Sequence, residues 1–446
     1  MPMKRLRLYR LGSGFLLVGV LANSALPQEH EQYKALTNSQ VLEMLNAVES
    51  DIKKNYWDPK LNGLDMDKTF AEARQKIVAA RSQNEALLYV AGAVDGLKDS
   101  HTRFVPPEPP YRVEQGWRAQ IIGTKCYVTH VQPGSDAEAK GLKAGDEIVL
   151  INGFKITPEN FAALTYGYTV FQQSGFRLLV RSRDGNGREI TAMAKVLPGQ
   201  KVVTREEMLA WFSAHAHDSP KDHSYYAQQG GIILWKLPDF DVEPETMDAS
   251  IHKTKSFSAL VLDLRGNRGG SGVATARLLG AFFDHDVHVA NRKRRKGGES
   301  IVAKGRGRKA YSGKLIVLID RNSASAAEIL ARVIQLEKRG IVIGDRSAGA
   351  VMEAQYFPHT LSLSPASVTT YAVEVTNADL VMADGGRLES IGVTPDEQIL
   401  PSPADLESAR DPALARAAEL AGVQITPEEA GKLFPVHWLE RVPEID

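Results

Sequence analysis

Apolar positions along the 446-residue chain change their period from one region to the next. "TNSQVLEMLNAVESDIKKNYW" (37–57) opens with cap-type residues and sets Val41, Leu45, Val48 and Ile52 on one face, which predicts an amphipathic helix. Two further helices are expected, over 66–81 and from Gln83 to Leu97. The helical region then runs into "LKDSHTRFVPPEPP", whose prolines stop regular structure and mark a boundary near residue 108.

Residues 109–199 change character. "CYVTHVQPGSDAEAKGLKAGDEIVLINGFKI" (126–156) alternates short strand-like runs with Pro-Gly, Gly-Leu and Asn-Gly punctuation. "FRLLVRSRDGNGREITAMAKV" (176–196) reads as a hairpin about Asp184–Gly187. The ordered elements "VQPGSDA", "AEAKGLKAGDEI" and "ING" resemble a PDZ domain. That resemblance implies capture of an extended chain end by strand addition. It assigns the carboxylate-binding loop to the neighbourhood of Gln115, Gly116 and Trp117.

Over 200–400 the runs "GGIILWKLPDF" (230–240), "SALVLDL" (258–264), "KLIVLID" (314–320) and "GIVIGD" (340–345) suit strands buried on both faces. Helical patterns separate most of them, which predicts an α/β layer. The stretch 401–446 reads as a helical tail, and no internal repeat is present.

Composition alters this picture at three points. Lys+Arg and Asp+Glu both number 54, so net charge gives no reason to expect nucleic acid as a partner. A single cysteine, Cys126, excludes an intrachain disulfide framework and a multi-cysteine zinc site, and it fits a small core residue of a PDZ strand. "KRLRLYR" followed by "LGSGFLLVGVLA" and "ANSA" has the layout of an export signal over 1–25, with an uncleaved anchor as the other reading. The expectation is an exported protein, periplasmic or secreted, with no membrane span once the signal is cut.

The candidate chemistry lies at a strand-to-helix corner. In "LIDRNSASAAEILARV" (318–333) the apolar run stops at Asp320, and Ser325 stands just before a helix whose first N–H groups lack intrahelical partners. Either serine could be a plain N-cap, and the same N–H groups could instead stabilise an oxyanion. "LVLDLRGNRGGSG" (260–272) is a second strand end, carrying a glycine-rich turn without the ending or spacing of a phosphate loop. "GRLESIGVTPDEQI" (386–399) brings a carboxylate beside a glycine turn.

Four ordered motifs resemble the tail-specific, or carboxyl-terminal processing, serine peptidases and their tricorn-type relatives. They are Asp263–Gly270, Ser323–Glu328, "GDRSAG" (344–349) and Glu389–Asp396. The resemblance covers about 37–400 and implies a layered α/β domain of the crotonase/ClpP kind. It makes Ser325 the nucleophile, with oxyanion donors from Ala326 and from Gly269 or Gly270. The processing branch takes its proton acceptor from a lysine, but Ala350 stands at that position here. The tricorn-type branch uses a histidine from "DSHT", hence His101, oriented by a distant glutamate, hence Glu389; Asp384 and Asp396 are neighbouring alternatives.

The resulting expectation is a serine endopeptidase acting on extended or unfolded polypeptides in the cell envelope, with their C-termini as a candidate handle and without cofactor or metal. The alternatives are a non-catalytic peptide-binding protein on a peptidase scaffold, or a PDZ adaptor. His215, His217 and His223 form a weak metal pattern, and "HDVH" (285–288) a weaker one. The basic runs "RKRRK" and "KGRGRK" read as solvated hairpins or loops, with a contact surface for anionic partners as the minor reading.

Overall fold

The computed structural model describes residues 35–109, 111–198, 224–364 and 367–434. The export signal and the His215–His217–His223 pattern lie outside these residues.

The N-terminal region is three helices, α1 (Asn38–Asn55), α2 (Met66–Ala79) and α3 (Gln83–Asp95). Side-chain caps at Thr37, Asp65 and Ser82 take up N–H groups that each first turn leaves open. Val41, Leu45, Val48 and Ile52 are fully buried along α1, so the expected face is the one that packs. After α3 the chain forms a short strand, β1 (Arg103–Val105).

β2 (Tyr111–Glu114) and β9 (Lys195–Pro198) pair antiparallel as the stem of the next unit. That unit holds β3 (Trp117–Ile122), β4 (Lys125–Val131), α4 (Asp136–Ala139), β5 (Glu147–Ile151), β6 (Phe154–Lys155), α5 (Pro158–Val170), β7 (Gly175–Arg181) and β8 (Gly187–Met193). Its sheet order is β3-β4-β5-β7-β8, which leaves β3 as an edge strand. Cys126 is buried in its core, and burial pushes the thiol up to about 12, far from nucleophilic use.

The remainder contains β10 (Tyr225–Gln229), β11 (Ile232–Lys236), α6 (Pro244–Thr254), β12 (Ala259–Asp263), α7 (Gly272–Ala281), β13 (Val287–Arg294) and β14 (Gly298–Ala303). It continues with β15 (Lys314–Ile319), α8 (Ala326–Leu336), β16 (Ile341–Gly344), β17 (Met352–Ser364), β18 (Ser367–Met382) and β19 (Glu397–Gln398). It closes with α9 (Pro403–Glu407), α10 (Pro412–Ala421) and α11 (Pro427–Ala430).

One sheet runs β10-β11-β12-β15-β16-β19, and every pair from β11 onward is parallel. Alternate residues explain the continuous apolar runs. Ile233, Trp235, Leu260, Leu262, Leu315 and Val317 pack toward α6, α7 and α8. Ile232, Leu234, Val261, Ile316 and Leu318 pack toward α10 and α11. Both faces are covered, so no polar alternation is needed.

A second, five-stranded sheet was not expected. β18 pairs with β17 along one edge and with β1 and β13 along the other, and β14 extends β13. One face of β18 buries Tyr371, Val373 and Val375 against α1–α3, which fastens the helical region to the α/β layer.

The first basic run folds into the β13–β14 hairpin and is largely paired within the molecule. Arg292 and Arg294 both hold Glu353, and the Arg295 guanidinium donates to the Lys53 carbonyl at the end of α1 (2.8 Å). Three of its five cations are therefore committed to structural contacts, which removes them from a contact surface.

Candidate active site

Three turns gather at the carboxyl ends of the adjacent parallel strands β12, β15 and β16, where open α/β sheets place their ligands. They are the glycine turn after β12, the serine turn after β15 and the loop 345–350 after β16.

Backbone and buried side chains lock the three together. Ser323 is fully buried; its Oγ donates to the Leu264 carbonyl (2.8 Å) and accepts the Asp320 N–H (2.9 Å). Ser323 therefore ties the turn, whereas Ser325 lines a cleft of about 2410 Å³. Ser325 holds φ at 54°, a backbone region uncommon for a residue with a Cβ. Its N–H donates to the Ala350 carbonyl (2.8 Å) and to Glu328 Oε2 (3.1 Å). Buried Glu328 also accepts from Ser347 Oγ, Gly349 N–H and Ala350 N–H, at 2.5, 2.8 and 2.9 Å. Burial raises its pKa and these donors pull it back. Ala350 thus contributes backbone to the site and no proton acceptor.

The glycine turn abuts the serine turn. A Cβ on Gly269 would sit 2.7 Å from the Ser325 Cβ, and φ is +100° there, so the position requires glycine. Buried Asn267 supplies the brace: its Nδ2 donates to the Leu237 carbonyl (2.9 Å), and its Oδ1 accepts the Gly269 N–H (2.8 Å). This corrects the candidate oxyanion set, because the Gly269 donor is already spent. The N–H groups of Gly270 and Ala326 donate to no acceptor among the described residues, and both residues line the cleft.

His101 lines the same cleft from the opposite side of the sequence. Its turn is set by the Asp99 carboxylate, which accepts the His101 N–H (2.9 Å), the Thr102 N–H (2.6 Å) and Thr376 Oγ1 of β18 (2.7 Å). Glu389 does not bond the imidazole directly. Its Oε2 accepts from Ser100 Oγ and from the Val351 N–H, both at 2.8 Å, and its Oε1 accepts the Ser100 N–H at 2.9 Å. Ser100 Oγ in turn lies 2.7 Å from His101 Nδ1.

The tautomer follows from counting protons. Ser100 has one hydroxyl proton, given to a carboxylate, so its oxygen can only accept from Nδ1–H. Nε2 is then left with its lone pair. Burial lowers the His101 pKa, opposed by Asp99 and Glu374. Sequence reasoning missed Ser100; the only available signal was a hydroxyl beside the histidine in "DSHT".

The alternative carboxylates are engaged elsewhere. Asp384 pairs with Arg332, and Asp396 accepts from Gln335 (2.9 Å) and the Val342 N–H (2.8 Å). Gly116 and Trp117 stand at the entry to β3 but do not line the cleft. Gly116 packs on Ser135, and the Trp117 ring meets Phe176 edge-on at 5.9 Å. The β3 residues that reach the cleft begin at Arg118, opposite Phe161, Ala162 and Thr165 of α5. Among the described residues no group of three or more His, Cys, Asp or Glu could hold a metal ion.

The region of these turns, residues 231–399, matches the family model for peptidase family S41, and residues 112–164 match the PDZ domain model. Residues 231–399 therefore form a domain of the peptidase family S41 type, a serine-type peptidase class, with a PDZ domain ahead of it. Within that class its relatives are carboxyl-terminal processing peptidases. The C-terminal processing peptidase, chloroplastic, of Tetradesmus obliquus is 25% identical over 344 residues, 70% of this chain and 68% of that protein. The carboxyl-terminal-processing peptidase 3, chloroplastic, of Arabidopsis thaliana is 23% identical over 360 residues, 78% and 66% of the two chains. The matched region therefore spans about two thirds of these relatives' length. Mature CPAF shares the fold, with a TM-score of 0.61 at 16% identity over 83% of this chain and 94% of that one.

Proposed function

We propose that the chain is a serine endopeptidase in which Ser325 attacks the peptide carbonyl and His101 Nε2 takes its proton. The Ser100–Glu389 pair holds the imidazole in the Nδ1–H tautomer and stabilises the imidazolium as it forms. The N–H groups of Ala326 and Gly270 receive the oxyanion, each donor being worth on the order of 3 kcal/mol. Returned through His101, the proton releases the amine; water then repeats the sequence on the acyl-enzyme.

The observation that carries this reading is the hydrogen-bonded chain His101–Ser100–Glu389, which opens onto the cleft that Ser325 lines. It supplies a proton acceptor where Ala350 cannot. The test is labelling by a serine-reactive phosphonate. Wild-type protein labels, Ser325→Ala does not, and Ser323→Ala keeps its reactive serine if it folds. Labelling that persists in Ser325→Ala rejects the assignment.

Substrate class follows from the cleft's second wall. Among the described residues β3 is an edge strand of its sheet, and residues of β3 and α5 line the same cleft as Ser325. An extended chain can add to β3 as a strand and still reach Ser325, which favours unfolded polypeptides, with C-termini as the handle. The export-type N-terminal sequence supports an activity in the cell envelope or outside the cell.

A further inference from the structure

Seven arginines line the catalytic cleft. Arg103 forms a two-pronged pair with Glu374, Arg277 and Arg306 hold Asp248, and Arg292 holds Glu299 and Glu353. Arg321 donates to the Gly123 carbonyl (3.0 Å), and Arg118 is also engaged. The cleft lysine, Lys304, pairs with Asp286.

Arg268 is the exception. It is exposed, lines the cleft, and has no hydrogen-bond or ion-pair partner among the described residues. Its backbone is nonetheless firmly held. Asn267 before it is fully buried and bonded to Leu237, and Gly269 after it is bonded to Asn267 and pressed against Ser325. A free guanidinium is thus mounted on the rigid turn that supplies the oxyanion donor of Gly270. Asp239 and Asp241 also line the cleft, Asp241 directly beside Gly270.

We propose that Arg268 is a specificity-determining residue that pairs with a substrate carboxylate close to the scissile bond, either an acidic side chain or the terminal carboxylate of the chain being cut. A guanidinium forms a bidentate, charge-assisted pair with a carboxylate. Every other cleft arginine has its partner inside the protein; this one acquires its partner with the substrate. The proposal rests on the reading of Ser325 as nucleophile, because that reading puts the scissile carbonyl beside Gly270.

The test measures binding to Ser325→Ala protein, so it needs no turnover. Fluorescent peptides are compared in matched pairs, with Glu or Gln at successive positions and with a free or amidated C-terminus. One acidic position, or the free terminus, binds about threefold to tenfold tighter than its neutral partner, and 0.5 M salt erodes the difference. Adding Arg268→Gln brings the ratio to about one, Arg268→Lys keeps part of it, and Arg268→Glu turns the preference toward Lys-bearing peptides. The Glu/Gln arm and the amidation arm identify the source of the carboxylate. Equal binding within every pair overturns the proposal, as does an acidic preference that survives Arg268→Gln. Loss of phosphonate labelling at Ser325 bears on the nucleophile alone and leaves this binding result readable.

Discussion

The two walls of the cleft are built by different means. The wall bearing Ser325 is a knot of backbone groups and buried side chains. Asn267, Ser323 and Glu328 are each fully buried and bind segments within one α/β layer. The wall bearing His101 is a relay of side chains joining segments far apart in the chain; Ser100 and Glu389 meet across 289 residues. A buried knot has one arrangement and a high cost of leaving it. A relay at a seam between the helical region, β18 and the 389 loop can be lost without unfolding either side. The proposed nucleophile and oxyanion donors are thus fixed by folding, and the proposed base by assembly of regions.

Three substitutions or conditions sharpen that contrast. Glu328→Gln has the largest effect: one amide oxygen must serve donors that two carboxylate oxygens served, at a cost of about 3 kcal/mol in unfolding free energy. A urea titration reads this cost, and activity falls with stability. An unchanged midpoint breaks the picture of a knot. Ser100→Ala comes next. It lowers kcat about 10- to 100-fold, with KM and the urea midpoint unchanged, because it removes the group that orients the imidazole. A large loss of stability would show that Ser100 belongs to the fold rather than to the relay. The smallest effect is on pH dependence. His101 must be neutral to accept a proton, and burial lowers its pKa, so activity is lost as pH falls through a value below the ordinary 6.5. An acidic limb of kcat/KM above 6.5 contradicts a desolvated His101.

Much of the layer was legible because each buried strand is a local apolar run ended by a turn. The expected runs at 258–264, 314–320 and 340–345 contain β12, β15 and β16 within a residue or two at either end. The helices of 37–97 and the hairpin about Asp184–Gly187 were readable from period and turn chemistry for the same reason. The five-stranded sheet was not. β17 carries Pro358 and exposes Tyr356, with a regular buried-exposed alternation only at its end (Leu361, Leu363), and its partner β18 has apolar contacts on both faces that only tertiary packing explains. At the site, residue types in motifs pointed to the serine turn, the glycine turn and the histidine. Which of Gly269 and Gly270 keeps a free N–H depends on where the Asn267 side chain points, and no pattern encodes that. Ser100 is likewise invisible until Glu389 is folded against it, since a serine beside a histidine has many ordinary uses. The basic run looked like open surface because its partners, Glu353 and the end of α1, are remote in sequence.

The order of the proposed catalytic groups along the polypeptide has a consequence for biosynthesis. The imidazole at 101 is made first, the serine at 325 much later, and the carboxylate at 389 later still. A nascent chain that has grown past the nucleophile still lacks the acid that sets its histidine. On that reading, a translation product ending before 389 lacks both the carboxylate that positions the histidine and the C-terminal helices that cover one face of the sheet, and is strongly impaired.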